Sequence, residues 1–345
     1  MKALTLIAPG GIEQLRVQEL PEPAIKSPND VLVRVQTAAL NRLDLYVAEG
    51  LPESSLTFPH IVGSDGAGLV SEVGPGVQNF RPGDRVMINP TLSCGECPIC
   101  AGGEDPLCPR LQVLGEHRAG TVAQLTVVPS GNLAAVPIDM SWPEAAAFSL
   151  ATLTAWRMLV TRAQLKAGET VLIWGIGGGV ALAALQIARL LGARTIVTSG
   201  SDLKLDTARA LGADVTVNHQ QSDIRSVVRQ HTAGRGADVV VDSVGEQTWP
   251  DSLRAVRRGG RVVVCGATTG PIVSLDLRRL FWHQWSILGS TLGSRREYAE
   301  IVSHAAAGRL RPVIDRVVPL AEAPLAFERL RQGEQVGKLV IEVAQ

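Results

Sequence analysis

Cys94, Cys97, Cys100 and Cys108 stand within fifteen residues, separated by gaps of two, two and seven. Four thiolates so spaced complete a closed tetrahedral shell for zinc, with no open coordination position. Gly95, Pro98, Gly102, Gly103 and Pro106 favour a tight knuckle there over a helix or strand. Two disulfides would need an oxidising compartment, and nothing in the sequence indicates secretion. A bacterial ferredoxin-type cluster would need a three-residue final gap. The expectation is one structural Zn2+ held at about 94–108. A closed shell does no chemistry, so the reacting groups must be sought elsewhere.

A second constellation is Trp174-Gly175-Ile176-Gly177-Gly178-Gly179-Val180-Ala181. A β-type run, Val171 to Trp174, precedes it, and an apolar helical run at roughly 180–191 follows. Glycines let the backbone approach a pyrophosphate, and the helix N-terminus offers free N–H groups and a positive dipole. Gly175, Gly177, Gly178, Gly179 and Val180 are therefore read as a dinucleotide-binding turn, with Val180 at the usual third-glycine position. About twenty residues on, NAD sites carry an acid for the ribose hydroxyls. Ser199 stands there instead, in Thr198-Ser199-Gly200-Ser201-Asp202-Leu203-Lys204. A small hydroxyl leaves room for a 2′-phosphate, which Ser201 and Lys204 would bind, so NADP(H) is expected in preference to NAD(H). Asp202 is read as the N-cap of the next helix. His219 is placed near the adenosine end. Gly266 and Ala267, in Cys265-Gly266-Ala267-Thr268, are expected to flank the nicotinamide.

These groups need elements to position them. At 345 residues the chain has room for about two domains. Lys+Arg and Asp+Glu both number 33, which disfavours nucleic acid or an acidic membrane surface as partner. The charge-free run from Val171 to Leu185 is shorter than the about 20 residues of a spanning helix and is broken by glycines, so no membrane partner and a cytoplasmic location are expected. Residues 1–149 read as β-rich with many turns, including strands at Val31 to Val35, Gly66 to Gly74 and Gly120 to Val128. From about 150 to 288, short β-branched runs alternate with amphipathic helices, the pattern of a doubly wound parallel sheet. From 289 the chain returns to mixed turns and closes on Gly337 to Val343, a strand that can pair back onto the first part. The fold class is α/β: a discontinuous domain of 1–149 and 289–345, with a Rossmann domain at 150–288 inserted.

This order of parts resembles the medium-chain dehydrogenase/reductase superfamily over nearly the whole chain. The four cysteines resemble the structural-zinc lobe of zinc-type alcohol dehydrogenases. Gly63-Ser64-Asp65-Gly66-Ala67-Gly68 resembles that family's Gly-His-Glu stretch, and Ala38-Ala39-Leu40-Asn41-Arg42-Leu43-Asp44 its catalytic-cysteine stretch. The resemblance implies a GroES-like catalytic domain and a cofactor contact at Thr154. It also implies a homodimer or tetramer, paired through the run from Val262–Val264 to Ile287–Gly289. Where the family holds its catalytic zinc, this chain has Asn41, Ser64 and Ser149. Neutral amide and hydroxyl oxygens are poor zinc ligands. Asn41-x-x-Asp44-x-Tyr46 resembles instead the quinone oxidoreductase branch.

The expectation that follows is an NADPH-dependent enzyme transferring hydride, without catalytic zinc, to a quinone or an α,β-unsaturated carbonyl. Asn41 and Ser64 would hydrogen-bond the oxygen where charge gathers, and Tyr46 would donate a proton. Two alternatives stand beside it. One is a zinc-dependent alcohol dehydrogenase with relocated ligands among His60, Asp65, Asp44 and His117. The other is a non-catalytic NADPH-binding sensor. The substrate is a small molecule whose pocket is shaped by loops at Ala48–Phe58 and Trp282–Trp285.

Overall fold

Along Asp30–Ala39 the side chains of Val31, Val33 and Val35 are buried while Arg34 is exposed, the period-two pattern of a strand with one face on a core. A computed structural model describes residues 1–51 and 56–344, so the Ala48–Phe58 loop lies partly outside the described residues. The chain forms two units, Met1–Ala151 with Gly293–Gln345, and Thr152–Leu292.

In the first unit, Asp30–Ala39 is a central strand. One neighbour is Asp65–Val73, followed by Arg85–Ile88 and Leu133–Ala135; the other is Lys338–Glu342, followed by Ile314–Pro319. Leu125–Pro129 also pairs with Asp30–Ala39. The C-terminal strand runs antiparallel to Asp30–Ala39, with Val340 opposite Ala39, and Ala39 in turn opposite Asp65. This register brings the ends of three strands together at Asn41, the residue that opens the helix Arg42–Glu49. Leu4, Leu6, Leu40, Phe327, Leu339 and Ile341 fill the core beside them. The Gly120 to Val128 run is regular strand only from Leu125, because the N–H groups of Gly120 and Thr121 donate to the carbonyls of Ile61 and Gly63 instead of to a ladder.

In the second unit six parallel strands stand in the order Val215–Asn218, Arg194–Ser199, Thr170–Ile173, Ala237–Asp242, Val256–Val264 and Ser286–Gly289. All six residues of Ala237–Asp242 are buried, as a strand covered on both faces requires. Helices Gly179–Leu190, Asp202–Ala210, Ile224–His231 and Trp249–Ala255 join the strands. The chain starts at Thr170–Ile173, builds outward to one side, then returns to build the other. The carboxyl end of that strand is the topological switch point where such sheets bind ligands. Ser201, not Asp202, is the N-cap of Asp202–Ala210; Asp202 is the first helical residue and its Oδ1 accepts from Asn218 Nδ2 at 2.9 Å. Among the described residues no helix is long and apolar enough to cross a membrane.

Close strand packing sets a test. A Cβ on Gly68 would stand 2.1 Å from the Arg34 carbonyl oxygen, whereas one on Gly131 would meet nothing within 4 Å. Gly68→Ala should cost more than about 2 kcal/mol in denaturant unfolding, with Gly131→Ala near neutral.

Candidate functional site

The cysteine lobe lies in the first unit. Cys97 caps the short helix Pro98–Ala101, and its Sγ accepts from Cys100 N at 3.4 Å. Arg110 N donates to Cys108 Sγ at 3.4 Å. The four sulfurs lie within 4.8 Å of one another, with Cys94 to Cys100 at 3.8 Å and Cys108 to Cys94 at 3.5 Å. Tetrahedral Zn–S bonds of about 2.3 Å put sulfurs about 3.8 Å apart, so the four residues fit a zinc ion. Backbone N–H groups of Glu96 and Cys97 push the Cys94 thiol down to about 6, favouring the thiolate that a metal needs. Asp105 anchors the lobe: its Oδ1 accepts from Ser93 Oγ at 2.8 Å and its Oδ2 from Arg295 N at 3.0 Å. This is a structural zinc site.

The second cluster of the first unit forms around Asn41. Its N–H donates to Asp44 Oδ2 at 2.7 Å, closing a capping box on the helix Arg42–Glu49. Its Nδ2 donates to Asp65 Oδ2 at 2.9 Å. Lys338 Nζ donates to Asn41 Oδ1 at 2.5 Å and to Asp65 Oδ2 at 3.0 Å. Asp65 Oδ1 accepts from Leu150 N at 2.8 Å. Asn41, Asp44, Ser64, Asp65 and Lys338 are all buried. Ser64 Oγ and the Tyr46 hydroxyl are buried without a hydrogen-bond partner. Burial pushes the Asp44 carboxyl up to about 7. Ser149 Oγ shares a 2.9 Å hydrogen bond with the Tyr298 hydroxyl, whose phenol burial pushes up.

A catalytic zinc does not fit this cluster. Both polar atoms of the Asn41 side chain are engaged within the chain, one of them by an ammonium. Ser64 and Ser149 offer only neutral hydroxyls. The relocated ligands do not converge either. His60 Nε2 donates to the Gly115 carbonyl at 3.0 Å, and His117 Nδ1 accepts from Val113 N at 3.2 Å. The Asp65 carboxylate already accepts from three donors, one of them the Lys338 ammonium. Among the described residues the four cysteines are the only group of His, Cys, Asp and Glu able to hold a metal.

The second unit carries the coenzyme turn at the switch point. Gly175 has φ 69° and Gly177 φ 115°, values that L side chains rarely adopt. Gly178 caps the helix Gly179–Leu190, whose first turn, with Val180 as its second residue, has no acid. A Cβ on Gly177 would also meet Lys204 at 2.5 Å, so the lysine stem lies across the turn. Ser199 ends its strand and its Oγ accepts from Ser201 N at 3.0 Å. His219 follows the next strand, and burial lowers its basicity. Gly266 and Ala267 follow Val256–Val264. All of these lie beyond carboxyl ends of strands in one sheet, and the cradle fits a nicotinamide dinucleotide. Thr154 is buried in the same unit. Trp285 packs in that unit's core and donates to the Arg257 carbonyl at 3.0 Å.

Sequence reasoning missed Lys338 and Tyr298. Lys338 opens an apolar strand where only the pairing register shows that it faces a carboxylate. Tyr298 lies on the helix Arg295–Ala306, 149 residues from its partner Ser149.

Comparison with known proteins places these parts. Residues 27–138 match the alcohol dehydrogenase GroES-like domain, and residues 179–307 match the zinc-binding dehydrogenase family. The chain is 33% identical to an alcohol dehydrogenase of Geobacillus stearothermophilus over 95% of this chain and 96% of that one. It is 31% identical to an NAD-dependent alcohol dehydrogenase of Sulfolobus acidocaldarius over 99% and 100% of the two. A crystal structure of an NAD-dependent alcohol dehydrogenase matches with TM-score 0.96 and 46% identity over the whole of both chains. These matches overturn the expected quinone or enone reductase, and the non-catalytic sensor with it, and favour the alcohol dehydrogenase alternative. Missing zinc ligands at Asn41, Ser64 and Ser149 describe what the cluster lacks; they do not identify the acceptor.

Two measurements check the geometry. Purified protein should carry about one zinc per chain, and Cys100→Ser should release it with a large drop in thermal stability, read by elemental analysis and calorimetry. Asp44 titrates at 3.8 when unperturbed and about 7 when folded. The folded state therefore binds the extra proton across that window, and stability falls as pH rises through it. Asp44→Asn keeps an acceptor for Asn41 N–H, and should remove about 2–4 kcal/mol of that decline between pH 4 and 8.

Proposed function

This chain belongs to the zinc-type alcohol dehydrogenase family of the medium-chain dehydrogenases/reductases, and on that premise we propose that it interconverts a small alcohol and its carbonyl compound with a nicotinamide coenzyme. The observation that carries the reading is the glycine turn at 175–179, crossed by Lys204 at the switch point of a parallel sheet. The bound nicotinamide supplies hydride chemistry. The chain's own residues bind and orient. The turn and the start of Gly179–Leu190 take the pyrophosphate on N–H groups. Thr154, Gly266 and Ala267 hold the nicotinamide end, and His219 the adenosine end. Asn41 and Ser64 hydrogen-bond the substrate oxygen, and Tyr46 exchanges its proton.

For the coenzyme, Ser199 in place of an acid and the ammonium of Lys204 support NADP(H) over NAD(H). The edge strand Ser286–Gly289, with Phe281 and Trp282 both 67% exposed nearby in sequence, supports a homodimer or tetramer. Four cysteines gathered at a zinc site, with no disulfide among the described residues, suit a reducing, cytoplasmic setting.

Steady-state assays with short primary and secondary alcohols, and with the matching aldehydes and ketones, test the reading. Coenzyme-dependent turnover is expected in both directions. Lys204→Glu should lower the NADP/NAD ratio of kcat/KM by about tenfold. Tight nucleotide binding with no turnover of any alcohol or carbonyl compound would sink the proposal.

A further inference from the structure

Charge balance alone does not explain the placement of Lys338. Its ammonium donates to Asn41 Oδ1 as well as to Asp65 Oδ2, so the same cation that neutralises the carboxylate also holds the amide. The amide is held from both ends. Lys338 donates to its oxygen, and one of its two N–H groups donates to Asp65. Flipping the amide would set an NH2 group against an ammonium and an oxygen against a carboxylate, so a single orientation survives. In that orientation the carbonyl accepts from Lys338, one N–H is held by Asp65, and the second N–H is the group the amide can offer to a ligand. The cation on the oxygen draws electron density from the amide nitrogen and strengthens the remaining N–H as a donor, while the carboxylate on the other N–H partly offsets that gain. Ser64 Oγ and the Tyr46 hydroxyl, each buried and without a partner, are further polar groups of the same unit with bonds left to make.

We infer that Lys338 is a positioning residue for the reaction: its ammonium locks and polarises the Asn41 amide so that an N–H, never the carbonyl, faces the substrate oxygen. The inference rests on the alcohol and carbonyl reading above and deepens it. The fixed positive charge of this cluster is then one amide removed from the oxygen, carried by the side chain of the C-terminal strand.

A double-mutant cycle tests this. Lys338→Met should lower kcat about 30-fold while shifting coenzyme KM less than about twofold, and Lys338→Arg should recover to within about fivefold of wild type. In an Asn41→Ala background the same Lys338→Met change should cost less than about threefold, because the route through the amide is already cut. Losses that multiply in the double variant would overturn the inference. If Lys338→Met leaves Asp65 unpaired and fails to fold, Lys338→Met combined with Asp65→Asn restores neutrality and is read in the same way. A readout independent of turnover is the side-chain amide signal of Asn41 in asparagine-labelled protein. It should move and exchange faster in Lys338→Met; an unmoved signal would overturn the role of Lys338. Absence of wild-type turnover, by contrast, would count against the proposed reaction and not against the clamp.

Discussion

Two opposite charges with almost no access to water, Lys338 and Asp65, constrain the first unit more than any other contact. Their side chains are 5% and 0% exposed. A lone ion at such a site costs several kcal/mol, and pairing only roughly repays it. The pair is therefore better understood as a constraint on geometry than as a source of stability. Lys338 opens the C-terminal strand and Asp65 opens another, with the end of Asp30–Ala39 between them. A slip of one residue would turn Lys338 to the opposite face and leave Asp65 buried with an uncompensated charge. The last strand thus has one acceptable register, and the cluster at Asn41 is assembled by it.

The zinc lobe solves its folding problem by other means. It has few apolar side chains to bury, and Leu107 and Ile99 remain exposed. Metal ligation and the bonds to Asp105 replace a core there. Among the described residues the group of His, Cys, Asp and Glu that could hold a metal is these four cysteines.

Much of this architecture was legible in the sequence, for physical reasons. Ala237–Asp242 is apolar because both its faces are covered, and the run was readable as a parallel strand without its neighbours. Gly175 and Gly177 marked a turn because few other residues adopt their backbone angles. Cys94, Cys97, Cys100 and Cys108 declared a metal by density alone. The Asn41 cluster was only half legible. The sequence reported that Asn41, Ser64 and Ser149 are poor zinc ligands, which led to the wrong acceptor. What fills the space is set by contacts between residues far apart: Lys338 lies 297 positions from Asn41, and Tyr298 lies 149 from Ser149. No local pattern encodes such pairs. His60 is a case of the same kind, its ring bonded to the carbonyl of Gly115, 55 positions away, whereas His117 accepts from Val113 only four positions away.

The charge arithmetic of the cluster bears on what it can bind. Lys338 and Asp65 cancel. Asp44 would add a negative charge, but burial holds its carboxyl up to about 7, so below that pH the group is largely protonated. The Asn41 amide then sits beside an ion pair with no net charge, its carbonyl against the cation and one N–H against the carboxylate. A paired site of this kind does not attract anions in general, because a dipole's field falls off faster than a net charge's. As Asp44 ionises, its charge opposes that of Lys338 through the same helix cap, where Asn41 N–H donates to it. The two carboxylates therefore play different parts. Asp65 fixes the cation, and Asp44, its carboxyl raised by burial, adds a second negative charge beside the amide only as pH rises through about 7.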